Sequence, residues 1–496
     1  MTSKLLKLLK ILVILAVVVV VGLIGIRTYD AMRGPPLSVW HTHVPRDLRA
    51  DDIKKLDWAG YLKAEEALFA EVRAKVVERI EPDERRPGNR YFEGSPIYPG
   101  RFKTDWNRSY VLEPDGPPVG AVVLLHGLTD SPYSLRHVAR LYRDRGFVAI
   151  AIRMPAHGTV PAALSDVDWE DWSEATRLAV REAKRLTGPS RPLHVVGFSN
   201  GGALAMKYAL DAIGDPNLPR PDRLVLISPM IGITAFARFA GVFGWPAVFP
   251  AFANAAWLSV VSEFNPFKYN SFPINGARQS SLLTRVLQEQ IASNARENRL
   301  AELAPVLTFQ SVADFTVSTR AVITALYQQL PANGSELVLF DVNRNAKLST
   351  LLRANFENAL ERLLPEGPQR FRLTVVANAA PKVNETVARV TEAGATTARV
   401  HPLSIIYPPE VYSLSHVAVP FPMNDALYGM RPDDQTEEEF GVNLGAMAAR
   451  GEVGLLIVTL DSLIRASSNP FFPYMLDRIA EYIPEPPGSA GAGTKQ

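Results

Sequence analysis

The chain has no cysteine. That excludes disulfides, thiolate metal sites and a cysteine nucleophile, and it says little about redox compartment. Charge of one sign is also missing: 53 basic and 51 acidic residues leave a net charge of +2. No stripe of uncompensated Lys and Arg appears, which argues against nucleic acid as a partner. Internal repeats are absent, and the only low-complexity stretch is the tail from Pro486 to Gln496, expected to be disordered. What the chain does have is apolar bulk. At 496 residues, 47% hydrophobic and 21% charged, it can bury a sizeable core in one large domain with insertions, or in two or three ordinary domains.

The longest apolar run lies at the start. Ile11 to Ile26 reads ILVILAVVVVVGLIGI without a charge, and Leu5 to Leu9 extend it past Lys7 and Lys10. Those lysines can snorkel, so about 20 residues are available to span a bilayer. The run is long for a signal peptide and no clear A-x-A site follows, so an uncleaved anchor over residues 1–30 is the expectation. Lys4, Lys7 and Lys10 place the short end in the cytoplasm and the rest of the chain outside, in the periplasm if the cell is bacterial.

Residues 31–103 read as a linker followed by an amphipathic segment. Leu68, Val72, Val76 and Ile80 recur at a four-residue spacing that makes one helical stripe. Beyond it, short apolar runs alternate with helical patterns: AVVLL at 121–125, Val148 to Ile152, LHVV at 193–196 and Leu224 to Ile227, with helices between them. Near-continuous apolar strands alternating with helices imply an α/β fold, a mostly parallel sheet with helices on both faces.

Gly197-Phe198-Ser199-Asn200-Gly201 follows the strand LHVV directly and opens the helix GGALAMKYAL. A serine on such a tight strand-to-helix turn is lifted above the sheet edge, and small residues at Gly197 and Gly201 let the backbone turn. The helix N-terminus then stabilises negative charge developing beside Ser199. Acyl transfer through that serine also needs oxyanion donors. The backbone N–H of Asn200 is one candidate, and that of Leu128, in the loop His126-Gly127-Leu128-Thr129-Asp130 after the first strand, is the other.

HGLTDSPYSLRHVARLYRDRGF, RMPAHGTVPAAL, DWEDW and GFSNGGALA, in that order and spacing, resemble the carboxylesterase, monoacylglycerol-lipase and serine-aminopeptidase branch of the α/β-hydrolases. The resemblance is strong from about Val119 to Met230 and patchier afterwards. It implies an eight-stranded, mostly parallel sheet, a Ser–Asp–His order of catalytic residues, no metal and no cofactor. Asp314, in the turn SVADFTV after the strand PVLTFQ, matches the acid, with Asp341 as competitor. Of eight histidines only His401 and His416 follow Asp314. His416 sits in the loop-like YSLSHV and is the expected base, whereas His401 in ARVHP reads as a surface histidine. His126 and His157 read as loop-ordering residues.

The expected hydrolase domain therefore covers 104–484, with a cap at about 231–304 and a βα insertion at about 343–400, before a tail at 485–496. Asp314 and His416 stand 416 − 314 = 102 residues apart, longer than this family's usual gap. A helix over Asn345 to Leu364, a strand over Phe371 to Ala377 and a second helix over Glu385 to Glu392 are expected to fill it. The cap is rich in Phe236, Phe239, Phe243, Trp245, Phe249, Phe252 and Trp257. These line a lipophilic pocket, form the cap's own core, or dip into a membrane interface. The expected activity is cleavage of lipophilic carboxylic esters through an acyl-enzyme on Ser199. The alternatives are a peptidase of the aminopeptidase-like branch, which would need an acidic cluster to hold a free amine, and an inactive membrane-tethered binding protein.

Overall fold

The computed structural model describes residues 2–33, 35–232, 250–345, 359–433, 438–446 and 460–483. Helix α1 (Thr2–Arg33) is followed by the expected amphipathic helix, α2 (Trp58–Lys75). The predicted stripe is buried at Leu68, Val72, Val76 and Ile80, the last two just past the helix end. Among the described residues no helix is long and apolar enough to cross a membrane. In the expected span, Ala16, Val20, Val21, Leu23, Ile24 and Ile26 lie outside the residues described at side-chain level.

Among the described residues ten strands form the main sheet. β1 (Tyr110–Leu112), β2 (Gly120–Leu125), β3 (Phe147–Ile152), β4 (Leu193–Phe198) and β5 (Arg223–Ile227) come first along the chain. A small separate pair, β6 (Trp257–Ser259) and β7 (Phe272–Pro273), belongs to the cap. Then come β8 (Val306–Ser311), β9 (Glu336–Phe340), β10 (Arg372–Asn378), β11 (Glu385–Thr391) and β12 (Arg399–Ile406). The spatial order is β1-β3-β2-β4-β5-β8-β9-β10-β11-β12. β3 through β10 run parallel, with β1 antiparallel at one edge and β11 and β12 antiparallel at the other.

Alternate residues of each central strand feed opposite layers, as the period of two requires. Ala121, Val123 and Leu125 of β2 pack with helices α4 (Trp169–Thr187) and α5 (Asn200–Gly214). Val122 and Leu124 pack against α3 (Arg136–Asp144) and the C-terminal α6 (Phe472–Ala480). Both faces are thus covered, which explains the unbroken apolar runs.

Two expectations are corrected. The sheet has ten strands rather than eight, and Glu385 to Glu392 is not a helix but the strand β11. Thr386, Val387, Val390 and Thr391 are β-branched and fit a pleated surface better than a helix turn. The first expected helix survives as Ala359–Leu363, while residues 346–358 lie outside the described set, as does the tail from residue 484. The insertion therefore adds an antiparallel ribbon to the sheet edge. It leaves and returns at neighbouring points: Asn343 N–H donates to the Tyr412 carbonyl at 2.8 Å, its side chain donates to the Pro408 and Val411 carbonyls, and Tyr407 Oη donates to the Asp341 carbonyl at 3.1 Å.

Candidate active site

The serine turn is built by close backbone approach. A Cβ on Gly201 would lie 1.9 Å from the Leu125 carbonyl oxygen, and one on Gly197 would lie 2.3 Å from the Gly201 oxygen. Ser199 itself takes φ 55° and ψ −117°, a costly conformation for a residue with a side chain. It persists because the chain on both sides is fixed: Ser199 N–H donates to the Ile227 carbonyl at 3.0 Å, and its own carbonyl accepts from Met230 N–H at 2.9 Å. Strained serine turns of this kind hold the hydroxyl above the sheet.

Gly127 lies against this turn, where an added Cβ would be 3.1 Å from Ser199 Cβ. The amides of Leu128 and Asn200 donate to no protein acceptor among the described residues. Asn200 is the first residue of α5, where an amide without an intrahelical partner is expected. Thr129, at φ 63°, sharpens the loop, and its carbonyl accepts from Tyr269 N–H at 2.7 Å.

Across the cavity, His416 Nδ1 lies 2.8 Å from Asp314 Oδ2 despite the 102 residues between them. The insertion's adjacent ends make this meeting possible. Asp314 Oδ1 accepts from the Thr316 and Val317 amides at 2.8 and 3.0 Å, and Oδ2 also accepts from Gln310 at 3.1 Å. Burial raises the pKa of this carboxyl, but His416 and the two amides outweigh it, so Asp314 is held below the ordinary carboxylate range. An ionised Asp314 fixes the proton of His416 on Nδ1 and leaves Nε2 as an acceptor. The imidazole stacks on Phe198, with ring centroids 5.3 Å apart, and Ser311 Oγ donates to the Leu414 carbonyl, tying the histidine loop to β8.

Ser199, His416, Gly127 and Leu128 line one cavity of about 530 Å³. Asp341, the competing acid, bonds Arg344 and its neighbour's amide, and among the described residues no histidine bonds it. His401 is exposed on β12. His126 is buried and fully used, donating to the Gly127 carbonyl and accepting from Met154 N–H, while His157 donates to the Pro155 carbonyl. Among the described residues no group of three or more His, Asp or Glu side chains could hold a metal ion.

Several cavity residues were missed in the sequence: Lys268, Tyr428, Leu444 and Arg465. All arrive through tertiary contacts from the cap or the segment after the insertion, where no motif marks them. Of the cap aromatics, Trp257 is buried with an edge against the His41 ring at 5.0 Å, within a cluster containing Trp40 and Tyr91, so it packs the cap onto the N-terminal segment. Phe236, Phe239, Phe243, Trp245, Phe249 and the side chain of Phe252 lie outside the described residues.

Residues 122–404 match the profile of the family described as "Alpha/beta hydrolase family". The chain belongs to this α/β-hydrolase family. Among curated proteins it is 30% identical over 92 residues to a thermostable monoacylglycerol lipase of Bacillus sp. (strain H-257), covering 18% of this chain and 35% of that protein. It is 22% identical over 221 residues to a carboxylesterase of Bacillus subtilis (strain 168), covering 45% of this chain and 82% of that one. The chain thus spans about a third of the first relative's length and about four fifths of the second's. Similar solved structures include a metagenome-derived lipolytic enzyme, at 18% identity and TM-score 0.37 over 52% of this chain and 97% of that one. Another is a soluble variant of monoglyceride lipase from Saccharomyces cerevisiae, at 12% identity and TM-score 0.37, covering 47% and 81%. This α/β-hydrolase carries long segments before and after the matched stretch, and both contribute to the structure around the cavity.

Proposed function

We propose that this α/β-hydrolase is a serine hydrolase cleaving carboxylic esters of lipophilic substrates, in the manner of a carboxylesterase or monoacylglycerol lipase. The observation that carries the reading is the His416–Asp314 bond at the wall of the cavity that Ser199 also lines. His416 Nε2 takes the Ser199 proton as the hydroxyl oxygen attacks the ester carbonyl. Asp314 holds the imidazole tautomer and stabilises the imidazolium. The Leu128 and Asn200 amides stabilise the oxyanion. The tetrahedral adduct collapses to an acyl-enzyme with the alcohol leaving on a proton from His416, and water then releases the acid. Phe198, Phe264, Phe272, Met230 and Val261 give the cavity its apolar wall, which suits a lipophilic acyl or alcohol group. A peptidase would need acids to hold a free amine, but among the described residues that line the cavity Lys268 accompanies the one carboxylate, Asp130.

We further infer that α1 anchors the protein in a membrane with its N-terminus cytoplasmic. The support is the uncharged run Ile11 to Ile26 and the exposure, at 53% or more, of large apolar side chains around the helix from Leu5 to Val19.

The test is fluorophosphonate labelling of the full-length chain in a non-ionic detergent, beside Ser199→Ala and Asp314→Asn. The parent labels, Ser199→Ala does not, and Asp314→Asn labels and turns over p-nitrophenyl esters about 10⁴-fold more slowly. A folded parent that fails to label would sink the esterase reading in favour of a binding protein.

A further inference from the structure

The cavity is not uniformly apolar. Two cations face it, Lys268 from the cap and Arg465 from beyond the insertion, with one buried acid, Asp130. Among the described residues Lys268 Nζ makes no hydrogen bond or ion pair, and the backbone on either side of it is held firmly. Its carbonyl accepts from Arg90 and the next residue's amide bonds the Thr129 carbonyl at 2.7 Å, beside Leu128. Arg465 is set over the acid turn by its bond to Thr316 Oγ1 at 2.6 Å, and its own carbonyl accepts from Ser415, next to His416. Neither cation has an acid within ion-pair distance among the described residues.

We propose that Lys268 and Arg465 form an anion subsite beside the reacting serine, so that the preferred substrate is an amphiphilic ester carrying a carboxylate or phosphate on its non-reacting part. The inference rests on the ester-hydrolase reading and specifies its substrate class. Two like charges on the wall of one cavity repel, and the solvent exposure of Arg465 weakens that repulsion without removing it. Burial lowers the Lys268 pKa, Asp130 raises it only partly, and Arg465 lowers it further. Burial in turn pushes Asp130 up to about 6, so this acid is itself a reluctant counter-charge. An anion between the two cations relieves both, and Phe264, Phe272 and Val261 remain to hold its apolar part. A neutral ester leaves the repulsion in place. The cations therefore select among substrates rather than take part in the bond changes.

The experiment compares two matched esters on the full-length chain in non-ionic detergent: p-nitrophenyl hydrogen glutarate and its neutral methyl-capped counterpart. The readout is the ratio of their kcat/KM values. The parent favours the acid by about tenfold, the scale of one charged hydrogen bond in a partly buried site. Lys268→Met and Arg465→Met each bring the ratio near one, through KM for the acid, whereas Lys268→Arg retains the preference. Added salt lowers the parent's ratio. Fluorophosphonate labelling of the same preparations separates the two possible failures. A parent that labels but shows a ratio of one, or a Lys268→Met variant that keeps the parent's ratio, overturns the anion subsite and leaves the esterase reading standing. A parent that neither labels nor hydrolyses either ester removes both.

Discussion

Arg153 and Arg136 are both fully buried, and each faces two acids, yet the two clusters do different things. Arg153 bonds Asp47 at 2.8 and 3.0 Å and Glu65 at 3.1 Å. Arg136 bonds Asp425 at 2.8 Å and Glu438 at 3.1 Å, and lies 3.8 Å from the centre of the Tyr133 ring. Both arginines belong to the family-matched stretch 122–404, whereas Asp47 and Glu65 precede it and Asp425 and Glu438 follow it. Each cluster therefore clamps an added segment onto the common fold. In the N-terminal clamp the two acids divide: burial wins at Glu65, whose pKa is raised in spite of Arg153, whereas at Asp47 Arg153 and two backbone amides outweigh burial and hold the carboxyl low. In the C-terminal clamp burial also works to raise Asp425, but Arg136 and His137 hold it well below the usual range. Asp425 additionally accepts from Tyr133 and from the Leu427 and Tyr428 amides. The C-terminal clamp thus favours its ionised acid outright, and it carries Tyr428 and Leu444 into the cavity wall.

That difference orders the expected effects. Asp425→Asn leaves Arg136 without its fully buried partner and costs about 3–5 kcal/mol, the usual penalty for breaking a buried pair. Glu65→Gln removes a charge that burial already disfavours and costs about 1 kcal/mol. Urea unfolding of both variants measures this, and ester kinetics well below the unfolding midpoint add a second readout. Asp425→Asn raises KM through the displaced cavity wall, while Glu65→Gln leaves KM where it was. Equal losses in the two variants would mean that the clamps are energetically alike and that the comparison fails.

The sequence was readable where a site is built locally. Ser199, its flanking glycines and the Asn200 amide all sit within one strand–turn–helix, so composition and period located them together. Asp314 and His416 were reachable by chain order, but their meeting depends on where Asn343 and Tyr412 bring the insertion's ends, which no local pattern encodes. The ten-stranded sheet was illegible for a related reason. ETVARVT has apolar positions compatible with either period, and only pairing with β10 and β12 makes it a strand. Lys268, Arg465 and the two clamps are purely tertiary. A buried Arg136 looks like any helix-surface arginine until Asp425 is placed 289 residues away in sequence and 2.8 Å away in space.

Acid sharpens the comparison on the N-terminal side. His157 lies in the loop whose carbonyl Arg153 also holds, and burial lowers its pKa from 6.5 to about 4. The folded chain keeps this imidazole neutral down to about pH 4, while the unfolded chain protonates it near 6.5. Stability that is fully present above pH 6.5 is therefore lost as pH falls toward 4, by about 3 kcal/mol from this group. Urea midpoints between pH 7 and pH 4 fall less steeply in His157→Gln than in the parent. Parallel pH profiles would show that the loop opens without protonating this residue.

The smallest effect separates clamp from local tether at the histidine loop. Ser311 Oγ donates to the Leu414 carbonyl at 2.8 Å, two residues before His416, and this bond joins β8, which precedes Asp314, to the loop that carries His416. Ser311→Ala removes about 1 kcal/mol of positioning and leaves the Leu414 carbonyl buried without that donor. If the tether sets the imidazole's approach to Ser199, kcat falls about fivefold, since about 1.4 kcal/mol corresponds to tenfold, with KM nearly unchanged in assays well below the lowered unfolding midpoint. If the C-terminal clamp alone positions the loop, kcat does not move. The histidine's geometry would then belong to Arg136 and Asp425, and His416 would be held from the far side of the added segment rather than from the sheet.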